Sequence, residues 1–368
     1  MTDKLGRRDF LKGSAFLAGA AMTGGLVCVE VAKAAPIEPP VVDRLSIRVL
    51  IDSSHDLFFR PNQVNGVSIQ PGPRPRDYRQ ILHNQWGLSL LLESQRAAEQ
   101  RALMLDFGYS PEALLNNIDI LRVDPGKVEA LIVSHGHFDH FGGLLGFLTK
   151  YRGVLPPDLR LYAGGEDNFC HRYNGTPGQL TDFGALDRRE LAAKNVTTVL
   201  AENPTVVGHA FTTGKIKRSS FEKVLPNTLV EFAMKDGLGC DASHYTAAEL
   251  QGKIVPDEHI HEHATCFNIK DRGLVVITSC GHAGVINSIR QAQEVSGIRK
   301  LHAVVGGMHL GPAPAPYLDQ VLAELKALEP DVVVPMHCSG NNFVQAMREQ
   351  MPERLLVSTT GSQITFGS

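Results

Sequence analysis

Apolar and polar residues alternate from Leu45 to Asp52, a period-two pattern that predicts a half-buried strand. The runs Leu88-Ser89-Leu90-Leu91-Leu92, Ala102-Leu103-Met104-Leu105 and Ala130-Leu131-Ile132-Val133-Ser134 are of strand length and nearly continuous in hydrophobicity, which predicts strands buried on both faces. Ser110 followed by Pro111 predicts the N-cap and first residue of a short helix reaching Asn117. An apolar helix is expected from about Phe141 to Lys150. Between the first two strands, residues 62–77 carry Pro71, Pro73 and Pro75 and read as an irregular loop.

The middle of the chain, residues 162–253, is less regular. Leu161-Tyr162-Ala163 and Val206 to Thr212 are candidate strands, and Asp187 to Lys194 is a candidate helix. After Cys266 the pattern sharpens: strands at Leu274–Thr278, Leu301–Val305 and Asp331–Pro335 alternate with helices at Ala283–Val295 and Pro316–Leu328. Repeated β-α-β units of this kind predict a layered α/β fold, with polar residues gathered just beyond strand C-termini.

Composition narrows the function classes. The 368 residues are 43% hydrophobic with a formal net charge of −3, which excludes intrinsic disorder and gives no general attraction to nucleic acid or anionic lipid. Histidine is abundant, at 15 residues.

The N-terminus reads as an address. Arg7-Arg8 precede Phe10-Leu11-Lys12, an apolar run from Gly13 to Val29 interrupted by four glycines, and the small-x-small triplet Ala32-Lys33-Ala34. This is similar to a twin-arginine export signal. It implies a signal peptide over residues 1–34, a domain over 35–368, the twin-arginine machinery as a partner, no stable membrane anchor, and a periplasmic or secreted product. Export would leave Cys170, Cys240, Cys266, Cys280 and Cys338, an odd number, so at least one thiol stays unpaired in a monomer.

The densest chemistry is Ser134-His135-Gly136-His137-Phe138-Asp139-His140, directly behind a buried strand. Imidazole and carboxylate suit zinc and similar first-row ions, and a turn with Gly136 would let His135 and His137 face one ion while Asp139 and His140 face another. His259, His261 and His263 are spaced by two and would share one face if extended, as extra ligands, a substrate strip or a solvated edge.

The pattern His135-x-His137-x-Asp139-His140 resembles the signature of the metallo-β-lactamase superfamily, whose fold is a four-layer αββα sandwich (α/β, or α+β in segregating schemes). Within it the chain is similar to the branch named for 7,8-dihydropterin-6-methyl-4-(β-D-ribofuranosyl)aminobenzene-5′-phosphate synthase. Gly87–Glu93, Leu105-Asp106-Phe107-Gly108, Thr278–Gly284, Gly306–Leu310 and Pro335–Gly340 carry that likeness. Trp86, Phe107, Phe141, Ser279, Gly281 and His261-Glu262-His263 depart from the branch pattern.

The resemblance implies two zinc ions, with manganese or iron as alternatives. His135, His137 and a third donor would hold one, and Asp139, His140 and His337 the other. His282 is the first choice for the third donor, with Cys280 or His263 as the other candidates. Asp106 would orient a metal-bound histidine or simply cap its turn. His309 would bind a substrate oxyanion or phosphate, or merely pack. Asp139 would also act catalytically. The implied activity is an exported hydrolase that uses metal-activated hydroxide on a small-molecule ester, lactone, amide or phosphate ester. Alternatives are a synthase-type transferase, or a metal-binding protein without turnover.

Overall fold

The buried runs of the N-terminal half pair into one ten-stranded sheet, seen in a computed structural model that describes residues 29–31, 37–73, 75, 77–176, 178–247 and 254–367. From edge to edge its strands are Val29–Val31, Thr197–Leu200, Arg160–Ala163, Val128–Val133, Glu99–Leu105, Ser89–Arg96, Arg44–Ile51, Gln363–Gly367, Val67–Gln70 and Asn62–Val64. Val128–Val133 is parallel to both its neighbours, as its continuous hydrophobicity predicts for a central strand. The last strand of the chain, Gln363–Gly367, is inserted antiparallel between Arg44–Ile51 and Val67–Gln70.

The C-terminal half supplies a second sheet of seven strands. Its main path is Thr205–Val207, Ala210–Thr212, Thr265–Ile269, Gly273–Thr278, Leu301–Gly306 and Val332–Pro335, and the short strand Val41–Val42 joins beside Thr265–Ile269. Gly273–Thr278, Leu301–Gly306 and Val332–Pro335 run parallel, so their C-terminal ends open on one side.

Strand alternation decides the layers. Leu45, Ile47, Val49, Leu90, Leu92, Leu103, Leu105 and Ile132 point from the first sheet into Phe267, Val275, Ile277, Val305 and Val334 of the second. The opposite face of the first sheet, with Leu91, Met104, Leu131 and Val133, is covered by helices Pro111–Leu121 and Leu144–Tyr151. Leu274, Val276, Val304 and Val333 lie under helices Val285–Ser296, Ala315–Leu328 and Asn341–Gln350. The result is helix, sheet, sheet, helix, the expected αββα order. Each fully buried Leu or Ile in these layers contributes roughly 1.5–3 kcal/mol.

Local signals fared unevenly. Ser110 caps the first helix through Ala113 N, with Pro111 in the first turn as read from sequence, but the helix runs on to Leu121. The proline-rich stretch contains a hairpin, Asn62–Val64 with Val67–Gln70, where only a loop was expected. Its cause is Asn65-Gly66, both with positive φ (46° and 84°), the dipeptide that two-residue hairpin turns require. The histidine-rich segment was expected as a turn before a helix at Phe141, yet Phe138–Phe141 is itself one helical turn. The middle of the chain builds a separate four-stranded sheet of Gln179–Gly184, His171–Thr176, Leu229–Glu231 and Ile254–Pro256. A disulfide joins Cys170 to Cys240 beside it, and Cys266, Cys280 and Cys338 are buried free thiols.

Arg7, Arg8 and the triplet Ala32–Ala34 lie outside the described residues. Val29–Val31, within the segment read as a leader, runs parallel to Thr197–Leu200. Among the described residues no helix is long and apolar enough to cross a membrane.

Candidate metal centre

Strand Val128–Val133 delivers Ser134 and His135 to the end of the first sheet. Ser134 donates its N–H to Asp106 Oδ1 (2.9 Å) and its hydroxyl to Asp106 Oδ2 (2.8 Å), so the fully buried carboxylate fixes where the histidine loop begins. Gly136 follows because nothing larger fits: a Cβ there would run into the Arg172 guanidinium and the Asn168 carbonyl. The helical turn Phe138–Phe141 then turns Asp139 and His140 inward, both buried. Asp106 Oδ2 also meets His140 Nδ1 at 2.7 Å, leaving the Nε2 edge of that ring facing the site.

Two donor groups result. The ligand atoms of His135, His137, His259 and His282 all lie within 4.8 Å of one another, and so do those of Asp139, His140 and His337. In the second group Asp139 Oδ2 is 3.3 Å from His337 Nε2 and 3.8 Å from His140 Nε2. Cys280 joins the groups, with its Sγ 3.5 Å from His140 Nε2 and grouped with His135.

The neighbourhood sets the charge states. Burial first, then mutual repulsion, holds His135, His137, His259 and His282 well below the usual imidazole value, so each presents a neutral ring. His140 goes the other way. Burial opposes its charge, but Asp139 and Asp106 more than offset that and push it up to about 9. Burial raises Asp139, yet His140 and His337 bring it below the usual carboxylate range.

The fit to metal ions rests on partnerless buried atoms. His135 Nε2, His259 Nδ1, both nitrogens of His282 and Asp139 Oδ1 are buried without a hydrogen bond. A buried polar atom left unpaired costs roughly 1–3 kcal/mol, and so many in one place mark a donor set built for cations. Imidazole with carboxylate, and a thiol at the side, suits zinc.

Other residues hold the donors in place. Glu262 accepts N–H bonds from Gly281 (2.9 Å), His282 (3.0 Å) and Ala283 (2.6 Å), pinning the turn that carries His282. His137 Nε2 pairs with Thr228 Oγ1 at 2.8 Å, and Thr228 donates to Asp257 Oδ2 at 3.2 Å. The fully buried Arg172 donates to the same Asp257 oxygen at 2.6 Å. Asp52 Oδ1 accepts from His337 N at 2.8 Å. Asp106, His259, His309 and His337 all have left-handed backbones, with φ of 57°, 45°, 46° and 48°. Such conformations cost roughly 1–3 kcal/mol each and survive where surrounding contacts over-determine them.

Beside the second group opens a cavity of about 820 Å³ lined by Trp86, His309, His337, Cys338, Ser339 and Arg348, among others. The half-exposed Trp86 ring rests on His337, centroids 4.8 Å apart. His309 sets its Nε2 against the Pro226 carbonyl (3.2 Å) and its ring 4.2 Å from His282, with Nδ1 buried and unpartnered.

The structure therefore brings His135, His137 and His282 into one group, Asp139, His140 and His337 into the other, and Asp106 against His140. It separates the other candidates for the third donor: Cys280 lies between the groups, while His263 turns away to the Val133 carbonyl (3.0 Å). His259 was not singled out as a ligand from sequence. The spacing of His259, His261 and His263 suggested a strand with one shared face, but strand Ile254–Pro256 ends before them and they lie on an irregular loop. Asp257 Oδ1 accepts the His259 N–H at 3.0 Å and sets its turn, a local contact that does not by itself mark a ligand.

Residues 87–158 match the profile of the metallo-beta-lactamase superfamily. The chain is 26% identical over 286 residues to the 7,8-dihydropterin-6-methyl-4-(beta-D-ribofuranosyl)-aminobenzene-5'-phosphate synthase of Methanocaldococcus jannaschii, covering 76% of this chain and 90% of that protein. It is also 26% identical over 276 residues to an uncharacterised protein of the same organism, covering 71% of this chain and 90% of that one. Among solved structures it is similar to a metal-dependent hydrolase of the beta-lactamase superfamily, with a TM-score of 0.63 and 22% identity over 87% of this chain and 98% of the other.

Proposed function

From a chain that resembles the metallo-β-lactamase superfamily and has its fold, we propose a metal-dependent hydrolase of ester, lactone, amide or phosphate-ester substrates. The observation that carries this reading is the meeting of two buried donor groups, His135/His137/His259/His282 and Asp139/His140/His337, beside an open cavity.

The first group would hold one ion and the second another, zinc by donor type, with manganese or iron as alternatives. Bound there, two metals supply Lewis acidity and lower the pKa of water towards about 7. The remaining work belongs to the protein. Asp139 keeps Oδ2 towards His337 and has Oδ1 unpartnered, free to orient the attacking group and take its proton. Asp106 fixes the His140 ring. His309 Nδ1 is available to a substrate oxygen, and Trp86 offers a flat apolar wall beside His337. Arg348 lines the same cavity and gives a place for an anionic group.

Measuring metal content alongside turnover of a phosphodiester, a lactone and a β-lactam tests this. About two equivalents of metal and hydrolysis of one class support it. Metal uptake with no turnover of any class would overturn it in favour of a metal-binding protein. A second reading is synthase-type transfer, favoured by the 26% identity to the M. jannaschii enzyme; a product retaining both halves of its substrates would establish that instead.

Export is part of the same proposal. Arg7-Arg8 support it, and Cys170–Cys240 is a bond of the kind that persists in oxidising compartments. Retention of the Arg7→Lys/Arg8→Lys double variant in the cytoplasm, with the native chain recovered outside it, is the expected fractionation result.

A further inference from the structure

Cys280 lies two residues beyond strand Gly273–Thr278, and Cys338 sits in the turn His337–Ser339 after strand Val332–Pro335. Strand Leu301–Gly306 runs between these two. Strands two apart in a sheet are separated by roughly 9.5 Å, yet the sulfurs are 3.2 Å apart. They meet over the end of the middle strand, where Gly307 makes room: a Cβ there would press on the Ser279 carbonyl and lie 2.9 Å from Cys338 Sγ. Each sulfur also touches the site. Cys280 Sγ is 3.5 Å from His140 Nε2, and Cys338 Sγ accepts the His309 N–H at 3.3 Å. Cys338 lines the cavity, whereas Cys280 lies behind it.

We propose that Cys280 and Cys338 form a reversible disulfide whose formation draws Cys280 Sγ away from His135 and His140, the donors it lies beside, and loosens the ion that His140 helps to hold. The oxidant is a small-molecule disulfide entering by the cavity. Cys338 Sγ attacks one sulfur of that disulfide; the old S–S bond breaks, and one small thiol leaves with the proton that Cys338 gives up. Cys280 Sγ then attacks Cys338 Sγ of the mixed disulfide, and the second small thiol is expelled with the proton that Cys280 gives up. Two cysteine thiols lose two protons and two electrons, and one small disulfide gains them as two thiols. A disulfide needs sulfurs about 2.05 Å apart, so the pair closes by little more than 1 Å. Drawn to Cys338, Cys280 Sγ no longer offers a lone pair to the His135 and His140 neighbourhood, and Cys338 Sγ shifts from its place against the His309 N–H.

The second half of this proposal rests on the two-metal reading, and the test keeps them apart. Full-length protein is incubated with glutathione disulfide, then denatured and alkylated for peptide mapping, with metal measured on a parallel sample. Oxidised protein should yield a Cys280–Cys338 cross-linked peptide, alkylation at Cys266 and Cys28 but at neither Cys280 nor Cys338, and a loss of about one metal equivalent that dithiothreitol and added metal restore. Metal content in Cys338→Ser should be insensitive to glutathione disulfide. If the cross-link is absent while the reduced protein holds metal, or forms with no loss of metal, the proposal is overturned and the metal reading stands. If the reduced protein holds no metal, the two-metal reading fails and takes the second half with it. Mapping the native chain needs no variant, so the proposal stays testable even if Cys338→Ser misfolds.

Discussion

The carboxylate of Asp106 lies 2.7 Å from His140 Nδ1 and simultaneously accepts both the N–H and the hydroxyl of Ser134. One buried group thus sets the orientation of a donor ring and the start of the loop carrying two more donors. Asp106→Asn keeps the size and removes the charge. Metal affinity should fall about 10–100-fold, read by chelator competition, with secondary structure unchanged by circular dichroism.

Proton release distinguishes the two donor groups. His140 in the metal-free protein titrates at about 9, so near neutrality it carries a proton that must leave before its nitrogen can coordinate. His135, His137, His259 and His282 are held well below the ordinary value and have none to lose. The first ion should therefore bind with little pH dependence between about 7 and 9. The second should tighten by at least about tenfold per pH unit up to about 9, since each unit removes more of the His140 proton, and His337, also raised, adds its own. Calorimetric titration in buffers of different ionisation enthalpy checks this. Equal proton release for both ions would contradict it.

Removing Glu262 should cost stability before it costs chemistry. Its carboxylate is the acceptor for three consecutive buried N–H groups, at Gly281, His282 and Ala283. Glu262→Ala leaves them unsatisfied. A loss of about 3 kcal/mol or more is expected in urea unfolding of the metal-free protein, with Glu262→Gln recovering part of it.

Arg172 has a comparable role on the other side. It lies fully buried between Asp257 and Asp167. Arg172→Met strands two carboxylates behind His137 and His259, and should destabilise the fold by about 3–5 kcal/mol. Adding Asp257→Asn to that variant should recover part of the loss, a coupling that a double-mutant cycle measures.

Trp86 gives an optical readout, because it is the single tryptophan of the chain and its ring rests on His337. Copper(II) or cobalt(II) entering the second donor group should quench its emission. His337→Ala should abolish that response at metal levels that still fill the first group. Unchanged emission on loading the native protein would place the second ion elsewhere.

How much of this was legible in the sequence follows the range of the interactions. His135, His137, Asp139 and His140 lie within six residues of one another, so strand periodicity and ligand spacing exposed them together. His282 and His337 came from the family resemblance, supported by their places just after two predicted strands, where such folds collect polar groups. His259 was not reached by either route. It stands on a loop after a short strand of a sheet with no clear alternation, and only tertiary packing stacks its ring on His282 at 3.8 Å. Arg172, Asp257 and Glu262 were invisible for the same reason, since their partners lie at least 19 residues away for Glu262 and 85 for the Arg172–Asp257 pair. The hairpin at Asn65-Gly66 is a different failure: its turn signal was local, and the neighbouring prolines outweighed it.

The insertion of Gln363–Gly367 between Arg44–Ile51 and Val67–Gln70 has a consequence for how the chain is made. On the ribosome, the strand that fills the gap in the first sheet emerges more than 300 residues after Arg44–Ile51, with which it pairs. Until it does, Arg44–Ile51 and Val67–Gln70 each leave an edge of unpaired N–H and carbonyl groups. Pairings across more than 300 residues, such as Arg48 with Gln363, are the costliest to close in chain entropy. The first sheet is thus completed only after the strands and helices of the second sheet's side have been made. A chain cut before Gln363 would retain every donor of the metal centre and still expose an open sheet edge to its neighbours.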